Sequence, residues 1–267
     1  MTLMSPQDQC RNQEQVNIFP TTLVKHICSL YQSENTCEMP TAVVTGANSG
    51  IGHAFANILI SEGYEVHAAD HEVGVQLQSL QCRLHRLDVR SPESISGFAA
   101  QLVNKPVDLL LNIAGVMAPG TGNDELSTVT KDILTRIFET NTFGPLLLTQ
   151  ALLPNLLQSS NPKVGIVSSR VGSIGDNSTG GNYAYRASKA AVNSIGKNMA
   201  VELKEKGIVV DLLHPGIVIS NLTPEASAPA EAVQPEEAAT KLWAIVQEKG
   251  IEETGKFWHR EGYELPW

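Results

Sequence analysis

From Pro40 onward, apolar runs of strand length alternate without interruption with segments of helical spacing, and few folds accommodate that alternation. Thr41–Val44, Glu65–Ala69, Cys82–Leu87, Val107–Leu111, Lys163–Val167 and Ile208–Leu213 read as strands. Several are nearly all apolar, as strands covered on both faces must be. Between them Ile51–Glu62 ends at Gly63, Ser91 stands as the cap of Pro92–Val103, and Lys131–Leu157 reads as one long, largely apolar helix. Tyr183–Glu205 and Glu236–Lys249 complete the set. The order predicts an α/β protein built on a doubly wound parallel sheet, with ligands at the carboxyl ends of its strands.

The first 39 residues follow another pattern. Met1–Asn17 is rich in Gln and Asn and has few large apolar groups, too few to offset the entropy of ordering it. Thr21–Tyr31 sets Leu23, Val24, Ile27 and Leu30 at helical spacing, which predicts a short helix with one apolar stripe. Residues 1–39 are therefore expected to be an extension and residues 40–267 a single domain. The chain of 267 residues carries 28 Asp and Glu against 19 Lys and Arg, a net charge of −9, with no basic cluster, which argues against nucleic acid as a partner. No apolar stretch approaches the roughly 18 residues of a membrane span. Asp8 and Glu14 stand where a signal peptide needs a basic start and an apolar middle, so no membrane association and a cytoplasmic location are expected. Cys10, Cys28, Cys37 and Cys82 form no CxxC pair and have no His at ligand spacing, so free thiols and no metal are expected.

The first strand runs into Thr45-Gly46-Ala47-Asn48-Ser49-Gly50-Ile51-Gly52, which turns at once into a helix. Glycines there permit a tight turn and let free N–H groups at the helix N-terminus approach a pyrophosphate. The GxxxGxG spacing differs from the commoner GxGxxG, and the GK[ST] ending of a P-loop is missing, which argues against a nucleoside triphosphatase. Eighteen residues after Gly52, Asp70 ends the second strand. A carboxylate at that point accepts hydrogen bonds from both adenosine ribose hydroxyls and repels a 2′-phosphate, which predicts NAD(H) over NADP(H). His71 next to it works against that preference when cationic.

Tyr185 and Lys189 are four apart on one predicted helix, so their side chains share a face. A neighbouring ammonium favours the phenolate and should lower the Tyr185 pKa, letting the pair exchange a proton with a substrate oxygen. Ser168-Ser169 ends the fifth strand and offers a hydroxyl to the same oxygen. Asn141 sits amid Phe138, Phe143 and Leu146, where a buried amide needs partners. His214-Pro215-Gly216 stiffens the chain after the sixth strand.

In order and spacing, Thr45–Gly52, Asp70, Asp88-Val89, Asn112-Ile113-Ala114-Gly115, Asn141, Ser169, Tyr185–Lys189 and Pro215-Gly216 resemble the short-chain dehydrogenase/reductase family in its single-domain, Rossmann-type form. The likeness covers about residues 40 to 267. Ser168–Asn177 and the ending Gly255-Lys256-Phe257 to Leu265-Pro266-Trp267 look closer still to its C-factor-like branch of carbonyl reductases and developmental signalling proteins. The resemblance implies that Gly46, Asn48, Ser49, Gly50, Ile51 and Gly52 surround the pyrophosphate, Asp70 the ribose, and Asp88 and Val89 the adenine. Asn112, Ala114 and Gly115 would line the dinucleotide, with Pro215, Gly216 and Val218 near the nicotinamide. Lys189 would also bind the nicotinamide ribose, Ser169 orient the carbonyl, and Asn141 hold a water linking Lys189 to solvent. Ile113 and Ser220 depart from the family's usual Asn and Thr, and the 16 residues from Ser169 to Tyr185 exceed its usual spacing.

The expected activity is hydride transfer between NAD(P)(H) and a small to medium, mostly uncharged carbonyl or alcohol. The alternative is a signalling or scaffold protein that holds the dinucleotide as a ligand. Val116, Met117 and Ile174 are expected as apolar walls and Asn221–Gln234 as a cover, with Glu225 and Glu231 disfavouring anions. The long helices Lys131–Leu157 and Tyr183–Glu205 suit pairing into a homodimer or homotetramer.

Overall fold

The computed structural model describes residues 39–120, 122–222 and 228–267, so the expected helix Thr21–Tyr31, the three early cysteines and Glu225 lie outside the described residues. The strands are β1 (Thr41–Thr45), β2 (Glu65–Asp70), β3 (Arg83–Arg86), β4 (Leu109–Asn112), β5 (Lys163–Val167), β6 (Val209–His214) and β7 (Phe257–His259). They form one sheet in the order β3-β2-β1-β4-β5-β6-β7, with every neighbouring pair parallel. β1 lies between β2 and β4, so the chain reverses its direction of travel across the sheet there and opens a crevice at the carboxyl edge.

The helices are α1 (Gly50–Ser61), α2 (Val75–Gln78), α3 (Pro92–Gln101), α4 (Lys131–Phe138), α5 (Gly144–Leu156), α6 (Tyr183–Leu203) and α7 (Pro235–Glu248). On one face Phe55 and Leu59 of α1 pack with Leu242 and Trp243 of α7 against Ala42, Val44 and Leu111. On the other, Phe98 of α3, Leu148 and Leu152 of α5 and Val192 of α6 cover Val43, Leu110 and Ile166. Alternate residues of one strand thus serve opposite layers, the physical reason that Ala42–Val44 of β1 and Leu109–Leu111 of β4 are all apolar.

One expectation is corrected and two short elements are added. Lys131–Leu157 is not one helix, because Glu139–Phe143 forms a π-helical turn between α4 and α5. β7 went unforeseen, since three residues show no periodicity and the strand exists only through its ladder to Leu212–His214. The single turn α2 was likewise too short to read. Ser91 caps α3 as expected, its Oγ accepting the Ser94 N–H at 3.1 Å. Leu134, Phe143 and Leu146 stand exposed along the helices expected to pair between copies. Among the described residues no helix is long and apolar enough to cross a membrane.

Candidate active site

A cavity of about 1290 Å³ opens at the carboxyl edge of β1, β2, β4, β5 and β6. It exceeds the roughly 300–1,000 Å³ typical of a site for one small ligand, leaving room for a dinucleotide and a substrate together. Gly46, Asn48, Ser49, Gly50, Ile51, Gly52, Asp70, Asp88, Val89, Ala114, Gly115, Ser169, Tyr185, Lys189, Pro215, Gly216 and Val218 all line it.

At one end the turn after β1 fits a phosphate. Gly46 and Gly50 take φ of 69° and 53°, the left-handed region open to glycine. Ser49 precedes α1 without a side-chain cap, leaving the first-turn N–H groups of that helix uncapped. Thr45 Oγ1 accepts the N–H groups of Ile113 and Ala114 at 2.9 and 3.1 Å, pinning the exit of β4 beside this turn. The buried Asp70 carboxylate accepts the Asn48 N–H at 3.1 Å and the Glu72 N–H at 3.3 Å, and meets His71 Nδ1 at 2.7 Å. Arg90 Nη2 is taken by Asp88 Oδ2 at 2.6 Å.

At the other end, Tyr185 and Lys189 rise from the first turns of α6. Asp124 sets the start of that helix, a residue the sequence reading missed. Its buried carboxylate accepts the Ala184 N–H at 2.7 Å and the Tyr185 N–H at 3.0 Å, while its carbonyl accepts the Tyr183 N–H at 3.1 Å. Lys189 Nζ donates to Val167 O at 2.9 Å and lies 5.8 Å from the centre of the Tyr185 ring.

The acidified phenol expected from the sequence is not what these surroundings produce. Burial pushes Tyr185 up to about 12, and the Ser169 hydroxyl pulls it back only in part. Burial lowers Lys189 to about 8. Spacing along a helix reveals a neighbouring charge, but desolvation acts on both groups and sets the direction of both shifts.

Two expected residues stand behind the cavity wall. Asn112 donates from Nδ2 to Thr149 Oγ1 at 3.3 Å, in the core between β4 and α5, and Ile113 lines the cavity in its place. Asn141 lies in the π-helical turn. Its Oδ1 accepts the Val116 N–H at 2.8 Å, and its Nδ2 donates to Val116 O at 2.9 Å and to Ser188 Oγ at 3.1 Å. Thr142 Oγ1 adds a bond to Ser188 O at 3.0 Å, so the turn clamps α6 one residue before Lys189. Val116 and Met117 form apolar wall as expected, whereas Ile174 is 81% exposed and outside it. Among the described residues no group of three or more His, Cys, Asp or Glu is gathered to hold a metal ion.

Residues 40–231 match the family described as short chain dehydrogenase. The chain belongs to that family. It is 39% identical over 232 residues to the 1-hydroxy-2-glutathionyl-2-methyl-3-butene dehydrogenase of Rhodococcus sp. (strain AD45), covering 86% of this chain and all of that one. Over 171 residues it is 37% identical to C-signal of Myxococcus xanthus, covering 64% of this chain and 98% of that protein. The crystal structure of an NADPH-bound carbonyl reductase from chicken fatty liver superposes with a TM-score of 0.77 at 29% identity, covering 86% of this chain and 99% of that one. The protein is an NAD(P)(H)-dependent oxidoreductase of this family.

Proposed function

We propose that the enzyme reduces carbonyls and oxidises alcohols, with Tyr185 exchanging the proton and with NAD(H) preferred to NADP(H). The observation that carries this reading is the position of Ser169, Tyr185 and Lys189 on the wall of the same cavity as the Gly46–Gly52 turn and Asp70. Gly46, Asn48, Ser49, Gly50, Ile51 and Gly52 would hold the pyrophosphate and Asp70 the adenosine ribose. Asp88 and Val89 would hold the adenine, Ala114 and Gly115 the length of the dinucleotide, and Pro215, Gly216 and Val218 the nicotinamide. When bound, the nicotinamide supplies or accepts the hydride.

In carbonyl reduction Tyr185 Oη donates its proton to the substrate oxygen and Ser169 Oγ hydrogen-bonds the same oxygen as charge develops on it. The Lys189 ammonium holds positive charge beside both and would bind the nicotinamide ribose. Asn141, through Val116 and Ser188, and Asp124, through the first N–H groups of α6, act as positioning residues. Self-association would use the face carrying Leu134, Phe143 and Leu146.

A pH dependence follows from the two pKa values. Tyr185, pushed up to about 12, keeps its proton through neutral and mildly alkaline pH, while Lys189, lowered to about 8, loses its charge there. Carbonyl reduction is expected to be full below that value and to fall as pH rises through it. The profile of kcat/KM from about pH 6 to pH 10 reads the free enzyme. An activity flat across that range would remove Lys189 from this role.

The cofactor preference rests on Asp70, whose carboxylate is already fixed by two backbone N–H groups. At about 4 Å and an effective dielectric near 20, each pair of unit charges between it and a 2′-phosphate repels by about 4 kcal/mol before screening. The NADPH in the chicken enzyme supports a nicotinamide dinucleotide in general. At Asp70 the electrostatics favour the form without the extra phosphate. We expect kcat/KM for NADH to exceed that for NADPH by about tenfold or more, a gap of about 1.4 kcal/mol, and Asp70→Ser to narrow it. A preference for NADPH in the unaltered enzyme would reverse the assignment.

The likeness to C-signal favours a second reading, a protein that keeps the dinucleotide as a bound ligand without turning it over. Consumption of NADH with any aldehyde or ketone separates the two.

A further inference from the structure

The substrate end of the cavity carries two guanidinium groups that the reaction proposed above leaves unused. Arg170 directly follows Ser169, and Arg260 directly follows β7; both line the cavity. Their backbones meet at one residue. The carbonyl of His214 accepts the Arg260 backbone N–H at 2.9 Å, and its Nδ1 accepts the Arg170 backbone N–H at 3.2 Å. Gly216 makes room beside it, since a Cβ there would stand 2.7 Å from Arg260 Cζ.

Each guanidinium is anchored by a carboxylate that is not part of the cavity wall. Asp176 accepts from Nε and Nη2 of Arg170. Glu261 accepts from Nε of Arg260 at 3.2 Å, and Pro215 O accepts from its Nη1 at 2.8 Å. Among the described residues these bonds leave Arg170 Nη1 and Arg260 Nη2 without a protein acceptor. The Arg260 side chain is only 12% exposed, which holds its guanidinium in place at the cavity wall. Burial holds His214 and His259 below the usual imidazole range; both arginines add to that effect at each ring, and Glu261 opposes it at His259. Glu231 lines the same cavity and, like the 55% exposed Arg170, is reached by water and salt that screen it, so the far less exposed Arg260 carries the larger part of the corner.

We propose that Arg170 and Arg260 form a carboxylate-binding corner, and that the preferred substrate is an aldehyde or ketone bearing a carboxylate. Planar guanidinium groups offer paired N–H donors that match a carboxylate, and a corner flanking Ser169 would hold the far end of the substrate while its carbonyl faces Tyr185. Where the sequence alone pointed to a mostly uncharged carbonyl, this corner adds an anion at one end. The proposal rests on the carbonyl-reductase reading.

The test compares 4-carboxybenzaldehyde with methyl 4-formylbenzoate, its neutral ester, by NADH oxidation with the full-length protein. The ratio of their kcat/KM values is expected to favour the acid by about tenfold or more, chiefly through KM, and to shrink with added salt. In Arg260→Gln and, independently, in Arg170→Gln, the ratio should fall to within about threefold of one, and Arg260→Lys, which keeps charge but loses the fork, should lie between. Two arginine sites keep the test open if one variant does not fold. Turnover of both aldehydes with a ratio near one, or with the ester preferred, overturns the corner and leaves carbonyl reduction standing. If neither aldehyde reacts, the reductase reading is decided by the wider aldehyde and ketone test above, and calorimetric titration of 4-(hydroxymethyl)benzoate into the NAD-loaded protein decides the corner. Binding about tenfold tighter than in Arg260→Gln upholds it, and equal binding overturns it.

Discussion

Replacing Tyr185 by phenylalanine is expected to lower kcat/KM for carbonyl reduction about 10³-fold, a barrier increase of about 4 kcal/mol, while the dinucleotide still binds. Phenylalanine fills nearly the same volume, so the packing of α6 survives and the loss isolates the hydroxyl. The phenol enters the reaction as a loaded acid, because burial pushes its pKa to about 12 and the proton stays on at working pH. Such a weak acid donates poorly unaided, and Ser169 is the group already offsetting the shift. Ser169→Ala should therefore cost both a bond to the substrate oxygen and part of the phenol's acidity. Steady-state kinetics with NADH, alongside quenching of protein fluorescence by the dinucleotide, reads both quantities. A variant that keeps half of its turnover would remove Tyr185 from the chemistry and return weight to the ligand-holding reading.

Residues whose neighbours in the chain decide their role were legible in the sequence. β1 and β4 read as apolar runs because both faces are covered, and the Gly46–Gly52 turn read as a phosphate cradle because its glycines fall between a strand and a helix. Residues whose partners are distant in sequence were not. Asp124 reaches across 60 positions to the α6 N–H it caps, and its own loop gives no sign of this. Asn141 read correctly as a buried amide in need of partners, but its partner, Val116, lies 25 positions back. Arg260 reaches the cavity only because β7 pairs with β6, a three-residue ladder that no periodicity announces. The sign of the Tyr185 shift was missed for a related reason: sequence spacing supplies the ammonium but not the depth at which both groups are buried.

Gly52→Ala is expected to weaken dinucleotide binding by roughly 100-fold, about 2.7 kcal/mol, and to lower Tm as well. A Cβ at Gly52 would stand 2.6 Å from the Gly46 carbonyl carbon, closer still to its oxygen, and 3.0 Å from Thr45 O. All three atoms are backbone and cannot swing aside. Gly46 has no room to retreat, since a Cβ on it would meet Ala114 N and Cα at 3.0 Å, and Ala114 N is itself held by Thr45 Oγ1. The added methyl must therefore push the first turn of α1 away from the cavity, and with it the N–H groups proposed to hold the pyrophosphate. Overpacking of this kind costs roughly 1–3 kcal/mol, and a domain of this size loses roughly 2–4 °C of Tm for each. Gly97→Ala is the control, because nothing lies within 4 Å of a Cβ there and the site is inside α3. It should leave binding alone and raise stability by roughly 0.5–1 kcal/mol. Fluorescence titration with NADH and thermal melts of both variants give the answer: equal affinity in Gly52→Ala and the unaltered protein would mean that the turn after β1 does not carry the phosphates.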